Sequence, residues 1–194
     1  MRARAFGGDV VVCEVDNFRA LQASYDGYRV MPMEEASRIG DLFVTVTGNK
    51  HVIRVEHMRD MKHGAVLANS GHFDIEIDLK GLQESAKNER RIRPFMDEFV
   101  LDGKKLFVLG EGRLINLAAA EGHPSEVMST SFCGQALACE YGVKHKDSMA
   151  NEVIQLPPEL DDQISGLQLA AMNVSTDTLT ADQIEYMNSW QEGT

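Results

Sequence analysis

Short runs of apolar, β-branched residues alternate with helix-length segments along the first half of the chain, and this alternation most constrains the fold. Residues 9–15 (DVVVCEV) and 42–46 (LFVTV) are typical of strands buried on both faces of a parallel sheet. Helical patterns predicted over 17–25 and 49–62 separate these runs from each other and from a further strand at 65–68. Strands separated by helices form βαβ units, so we predict an α/β fold with a Rossmann-like parallel sheet.

The pattern changes beyond residue 80. Residues 90–99 and 105–109 flank an Asp-Gly pair at 102–103, which predicts a hairpin turn that closes the sheet. The remainder is mostly helical, with a capped helix predicted from the sequence TLTADQIEYMNSW near the end. We therefore predict an α/β domain over residues 1–120 and a helical segment over 121–194.

Composition excludes several classes of function. The 194 residues include 30 acidic and 19 basic side chains, a net charge of -11, so we expect no nucleic-acid partner. Apolar runs fall short of the roughly 20 residues that span a bilayer, and we expect no membrane association. Cys13, Cys133 and Cys139 lack the spacing of a disulfide framework or a zinc site, which favours a cytoplasmic protein without a metal.

Ligands of open α/β sheets bind at the carboxyl ends of the strands, and several polar or glycine residues follow the predicted strands. These residues are Glu14, Thr47, Gly48, Asn69, Gly71 and His72. An acid such as Glu14 binds a cofactor ribose in dinucleotide folds, yet acids are also common at ordinary strand ends. His72 is a candidate functional loop residue, and a histidine bonded to backbone is the competing interpretation.

A dinucleotide fold normally opens with a strand and a G-x-G-x-x-G turn about 20 residues before the ribose-binding acid. The first residues, MRARAFGG, instead look like the end of the helix that follows that turn. We therefore expect the chain to begin inside a cofactor fold and to bind a dinucleotide weakly on its own. We also expect an unpaired sheet edge, and with it a homo-oligomer or an aggregate.

Three long segments closely resemble adenosylhomocysteinases, namely residues 14–36, 40–78 and 111–132, and weaker similarity covers the rest of the chain. The resemblance implies reversible conversion of S-adenosylhomocysteine and water to adenosine and homocysteine. It implies a tightly held NAD that oxidises the ribose 3'-hydroxyl and thereby acidifies the neighbouring C4' proton. Those three small molecules would be the substrate and products, and the fold would be the C-terminal NAD-binding portion of such an enzyme.

The resemblance also assigns roles to individual residues. Glu14 would hold the adenosine ribose of NAD, and Asn116 would contact the nicotinamide carboxamide. His72 is the candidate catalytic residue, and with Phe73 it is similar to a pair that gates substrate access. The implied cofactor contacts are Glu14, Arg19, Thr45, Val46, Thr47, Gly48, Asn49, Ser70, Gly71, His72 and Asn116. The implied substrate contacts are His123, Met128 and Phe132.

Some of these residues also have ordinary structural interpretations. Arg19 stands where many family members have asparagine, and NAD rather than NADP remains the predicted cofactor. Met128 and Phe132 have the i,i+4 spacing of core packing, and His123 could be a turn residue. The remaining histidines are predicted to be solvated; they are His51, His57, His63 and His145.

Three functions follow as alternatives. The first is a partial adenosylhomocysteinase that is inactive alone, since the family's main catalytic lysine, acids and a further histidine lie upstream of the cofactor fold. The second is a non-catalytic module that pairs with an intact family subunit. The third, a dehydrogenase for an unrelated alcohol, would have only His72 as its base. The final residues, WQEGT, also differ from the lysine- and tyrosine-bearing tail of many family members.

Overall fold

The computed structural model describes residues 1–190 of the chain. Residues 191–194, the end of the predicted helical segment and of the WQEGT terminus, lie outside the described part. The chain divides into two compact units, residues 1–122 and residues 123 onward. The sequence-based prediction put the boundary after residue 120.

The first unit alternates strands with short helices, then adds two antiparallel strands and a final turn of helix. Its helices are α1 Arg2–Ala5, α2 Asn17–Tyr25, α3 Met33–Ile39, α4 Val55–Asp60, α5 Leu79–Ser85 and α6 Ile115–Ala118. Its strands are β1 Val11–Val12, β2 Arg29–Val30, β3 Leu42–Thr45, β4 Ala65–Asn69, β5 Asn88–Arg93, β6 Met96–Leu101 and β7 Lys104–Leu109. A 3-10 turn, Gly110–Gly112, links β7 to α6.

The main sheet has five strands in the order β3-β4-β7-β6-β5. Strands β3, β4 and β7 are parallel, whereas β6 runs antiparallel to both β7 and β5. Strands β1 and β2 form a separate parallel pair. This combination confirms the predicted α/β, Rossmann-like class, with a mixed rather than a wholly parallel sheet.

Strand β3 forms one edge of the main sheet. Within the described residues β3 hydrogen-bonds only to β4, and β1 only to β2. Along this edge Leu42, Val44 and Val46 are 61%, 52% and 68% exposed, although the intervening Phe43 and Thr45 are buried. The edge therefore combines unpaired backbone groups with exposed apolar side chains, the combination that favours association.

The hydrophobic core lies between the main sheet and helices α4 and α5. Leu67 on β4 and Leu106 on β7 are fully buried on adjacent strands of the sheet. Met58 from α4 and Leu82 from α5 are likewise fully buried in this core. Burial of one such side chain contributes about 1.5–3 kcal/mol relative to leaving it exposed.

The helix predicted over residues 49–62 is shorter in the structure, where α4 covers only Val55–Asp60. The preceding residues bond instead to a distant segment. His51 N–H donates to Ile75 O at 2.8 Å, and Ile53 N–H donates to the carbonyl of Glu76 at 3.0 Å. Because these bonds hold residues 51–53 alongside residues 75–77, where Ile53 forms a parallel bridge with Ile77, the local helical pattern is overridden.

The segment 90–99 contains two strands rather than one. Pro94 and Phe95 form a tight turn between β5 and β6, and Phe95 has a φ of 61°, which few residues other than glycine adopt. The predicted turn at 102–103 is confirmed, with φ values of 48° and 79° at Asp102 and Gly103. Two successive positive φ values are those of a type I′ hairpin turn.

The prediction that His57 is solvated is wrong, because this residue is 5% exposed. His57 lies in the first turn of α4, where its Nδ1 accepts the backbone N–H of Arg54 at 3.2 Å. A ring that caps the start of its own helix is held against the core rather than in solvent. The polar residues around position 57 in the sequence predicted an exposed side chain and gave no sign of this capping role.

The described part of the second unit contains three helices, α7 Ser125–His145, α8 Pro158–Ala171 and α9 Ala181–Met187. Helices α7 and α8 pack against each other. The predicted cap of the last helix is confirmed, because Thr180 and Gln183 exchange side-chain-to-backbone hydrogen bonds. Among the described residues, no helix combines the length and apolarity needed to cross a membrane.

Candidate functional site

The carboxyl ends of β3, β4 and β7 meet at one edge of the main sheet. Thr45 at the end of β3 lies in register with Asn69 at the end of β4, and Asn69 in turn forms a bridge with Leu114 beyond β7. The loops that follow are 46–49 and 70–73, and α6 with Asn116 follows Leu114. The fold thus brings most of the predicted cofactor residues to the same edge.

Asn69, fully buried, connects these loops through its side-chain amide. Its Oδ1 accepts the Thr45 hydroxyl at 3.0 Å and the Gly71 N–H at 2.7 Å. Its Nδ2 donates to the carbonyl oxygens of Phe73 and Gly112, both at 2.8 Å. One side chain therefore binds the ends of all three strands together. The sequence marked Asn69 as a strand-end residue without revealing this role.

Glu76 is a second buried polar residue at this edge, with 1% exposure. Its Oε2 accepts the Thr47 N–H at 3.0 Å and the Thr47 hydroxyl at 2.8 Å, and its Oε1 accepts the Gly48 N–H at 2.5 Å. Sequence reasoning missed this residue. The available signal was an acid between Ile75 and Ile77, a context in which a carboxylate requires specific partners.

The predicted loop residues are divided between a buried and an exposed set. Thr45 is 3% exposed, and its hydroxyl is bound to Asn69, so it lies behind the loop rather than on its surface. The exposed set consists of Val46, Thr47, Gly48, Asn49 and Ser70. Ser70 N–H donates to the carbonyl of Thr45 at 2.7 Å, which holds the two loops at a fixed spacing.

His72 and Phe73 contact each other edge to face, with ring centroids 4.5 Å apart and an interplanar angle of 86°. Both line a cavity of about 430 Å³, together with Arg113, Leu117 and further residues of the α6 region. Its lining combines apolar residues of the α6 region with the charged side chains of Asp74 and Arg113. The predicted gate pair therefore lines a space of ligand size.

Asn116 carries a buried side-chain oxygen, Oδ1, that has no hydrogen-bond partner among the described residues. A buried acceptor in this state costs about 1–3 kcal/mol unless a donor reaches it. The N–H of a nicotinamide carboxamide is such a donor. The unpartnered oxygen thus fits the predicted cofactor at this position.

Glu14 follows β1, and its Oε1 accepts the backbone N–H groups of Val15 at 2.7 Å and Asp16 at 3.1 Å. These backbone hydrogen bonds lower the pKa of the Glu14 carboxyl below its ordinary value of 4.5, so it is ionised at neutral pH. Among the described residues its Oε2 makes no hydrogen bond. Such a carboxylate can accept the two hydroxyls of a ribose. Arg19, in the first turn of α2, is exposed.

The predicted substrate residues all belong to the second unit. His123 precedes α7, and Met128 and Phe132 lie within that helix. Phe132 is 57% exposed and Met128 is half-buried, so this pair does not form a buried core contact in the described unit. Their approach to the residues of the first unit stays a prediction.

Comparison with known proteins identifies the family of the chain. Residues 1–122 match the family model described as "S-adenosyl-L-homocysteine hydrolase, NAD binding domain". The adenosylhomocysteinase of Gloeobacter violaceus is 57% identical over the whole of this chain, that of Saccharolobus solfataricus 53%, and that of Aquifex aeolicus 52%. The chain spans 46% of the length of each of these relatives. The chain belongs to the S-adenosyl-L-homocysteine hydrolase family, and its first unit is the NAD-binding domain of that family.

Proposed function

We propose that this chain supplies the NAD-binding part of an adenosylhomocysteinase, the reaction being reversible hydrolysis of S-adenosylhomocysteine to adenosine and homocysteine in the methyl cycle. The observation that carries the proposal is the edge where Asn69 and Glu76 bind the strand-end loops beside the unpartnered oxygen of Asn116. The identity of 57% to a curated adenosylhomocysteinase supports the same reaction.

Within this proposal the first unit binds and orients NAD. Glu14 accepts the hydroxyls of the adenosine ribose, with Arg19 near that end of the cofactor. The loop of Val46, Thr47, Gly48 and Asn49 lies along the cofactor, and Asn116 accepts the carboxamide N–H. Bound NAD would accept the hydride from C3' of the substrate ribose as its 3'-hydroxyl is oxidised. Thr45 acts from behind the loop by holding its position through Asn69.

On the substrate side, we assign His72 as the residue that moves a proton and, with Phe73, closes the cavity. The two rings contact each other edge to face, and both line the cavity. Closure of such a pair excludes water from the reacting ribose. His123, Met128 and Phe132 are proposed to contact the adenosine and homocysteine portions of the substrate.

We infer that the 194 residues alone do not turn over substrate. Among the described residues, His72 and Asp74 are the proton-accepting side chains in the lining of the cavity, and oxidation followed by elimination needs further acids and bases. The chain spans under half of the length of its relatives, so we assign those further groups to other parts of an intact enzyme.

Association with another family subunit is a second candidate function, favoured by the edge of β3. Its exposed Leu42, Val44 and Val46 offer an apolar surface for a homo-oligomer or for an intact relative. Co-purification of the tagged chain with an intact adenosylhomocysteinase tests this association, and separate elution of the two proteins would contradict it.

All three cysteines are unbridged, which supports a reducing, cytoplasmic setting.

The main test is isothermal titration of residues 1–194 with NAD, paired with an assay of homocysteine release from S-adenosylhomocysteine on the same sample. We expect weak, saturable NAD binding and no release. Glu14→Gln should weaken binding at least about tenfold, equivalent to about 1.4 kcal/mol. The control is Glu35→Gln, an exposed acid on α3.

The homocysteine assay and the NAD titration can each contradict a different part of the proposal. Turnover by the purified chain would overturn the inference that other parts of an enzyme are needed. Equal NAD affinity in Glu14→Gln would overturn the ribose assignment of Glu14. Absence of any NAD binding at millimolar cofactor would remove the proposed function of the first unit.

A further inference from the structure

Glu76 connects two of the loops at the cofactor edge, although it belongs to neither strand end itself. We propose that Glu76 is a positioning residue that fixes the Thr47–Gly48 backbone in the shape required for NAD. This proposal rests on the proposed NAD-binding function of the first unit. It assigns Glu76 no contact with the cofactor.

The buried Glu76 carboxylate and the Thr47–Gly48 loop satisfy each other's hydrogen-bonding groups. A buried carboxylate is costly unless its oxygens are bonded, and the donors to Glu76 among the described residues are neutral groups. All three of its side-chain hydrogen bonds come instead from the two consecutive residues Thr47 and Gly48. If the loop moved away, the buried carboxylate would lose these three hydrogen bonds.

The same bonds determine what the loop can offer a ligand. The N–H groups of Thr47 and Gly48 are directed at Glu76 and are not available to a cofactor phosphate. The Thr47 hydroxyl donates to Glu76 and accepts the Asn49 N–H at 3.0 Å, so it too is occupied. The loop therefore contributes carbonyl oxygens and van der Waals surface, whose value depends on exact placement.

Glu76 also touches the second loop. An added Cβ at Gly71 would lie 1.6 Å from Glu76 Oε1 and 2.5 Å from its Cδ, so the carboxylate packs directly on the Gly71 backbone. Gly71 immediately precedes His72. A shift of the Glu76 carboxylate would therefore displace both the loop after β3 and the loop that carries His72 and Phe73.

The test compares the full chain with Glu76→Gln, in which one acceptor oxygen is replaced by an NH₂ group that opposes a backbone N–H. Two quantities are measured: the NAD dissociation constant, and hydrogen exchange of individual amides by NMR. We expect the dissociation constant to rise about tenfold or more and the Thr47 and Gly48 amides to exchange at least about tenfold faster. The core amides of Leu67 and Leu106 should keep their protection.

Glu35→Gln is the matched control and should change neither quantity. Thr47→Val gives a second route if Glu76→Gln does not fold, because it leaves the carboxylate in place but removes the hydroxyl that donates to Glu76 and accepts the Asn49 N–H. We expect a smaller rise in the dissociation constant, with cooperative unfolding retained. Unchanged NAD affinity in this variant would overturn the proposal.

The outcomes separate the positioning role from the underlying function. If the wild-type chain binds no NAD, the proposed function fails, while exchange at Thr47 and Gly48 still reports whether Glu76 holds the loop. If Glu76→Gln binds NAD as the wild type does, or if exchange accelerates equally at Leu67 and Leu106, Glu76 is a general structural residue and the positioning role is refuted.

Discussion

Replacing Gly71 with alanine tests the contact between the two cofactor loops most sharply. The φ of Gly71 lies outside the left-handed region, so the backbone conformation itself accepts an alanine. The new Cβ would nevertheless lie 1.6 Å from Glu76 Oε1 and 3.0 Å from Asn69 Oδ1. The methyl group and the carboxylate cannot occupy the same space, and Glu76 must leave its partners.

The size of the effect follows from what the displaced carboxylate loses. It gives up three hydrogen bonds from Thr47 and Gly48. Bonds to a charged group are worth about 1.5–3 kcal/mol each, which sets an upper bound of about 4.5–9 kcal/mol. Relaxation and entry of water recover part of this loss, so we expect the free energy of unfolding to fall by about 3–5 kcal/mol.

Urea denaturation followed by circular dichroism measures this loss. Gly142→Ala is the control, because this helical glycine has no neighbouring atom within 4 Å of an added Cβ. The control should change stability by at most about 1 kcal/mol, in the stabilising direction. A loss of less than about 1 kcal/mol in Gly71→Ala would refute the packing of Glu76 against Gly71.

Three further substitutions test the cofactor contact, an ion pair and the core. Asn116→Ala removes a buried acceptor that has no partner and should therefore lower the free energy of unfolding by no more than about 1 kcal/mol, yet weaken NAD binding about tenfold by titration. Arg90 first, and then Lys105, hold the pKa of Glu98 below its ordinary value of 4.5, so this carboxylate stabilises the fold above that pH. Glu98→Gln should therefore lower the melting temperature at pH 7, and the difference from wild type should shrink as the pH falls below 4.5. Leu106→Ala should cost about 2–5 kcal/mol by urea denaturation, and a loss under 1 kcal/mol would contradict full burial.

The sequence predicted the fold class because that information is local. Apolar, β-branched runs and the helices between them identified β3 and β4 and placed Thr47, Gly48 and Gly71 at strand ends. The Asp-Gly pair likewise identified the turn at 102–103, since the residue types themselves favour positive φ.

The remaining features depend on distant contacts. The helix predicted from residue 49 gave way to backbone bonds with residues 75–76, and Phe95 adopts a turn conformation that its residue type disfavours. Glu76 is assigned to the site only by three-dimensional contacts, because its donors lie 28 and 29 positions earlier in the chain. Contacts between residues so far apart in the sequence leave no local pattern from which they could be predicted.

Titration of the ¹⁵N-labelled chain with NAD tests the central claim most directly, namely that the first unit binds NAD at the edge formed by β3, β4 and β7. We predict saturable shifts of amide resonances concentrated at Thr47, Gly48, Gly71, His72 and Asn116, even where the affinity is weak. Shifts that are absent at millimolar NAD, or confined to residues 125–190, would contradict the assignment.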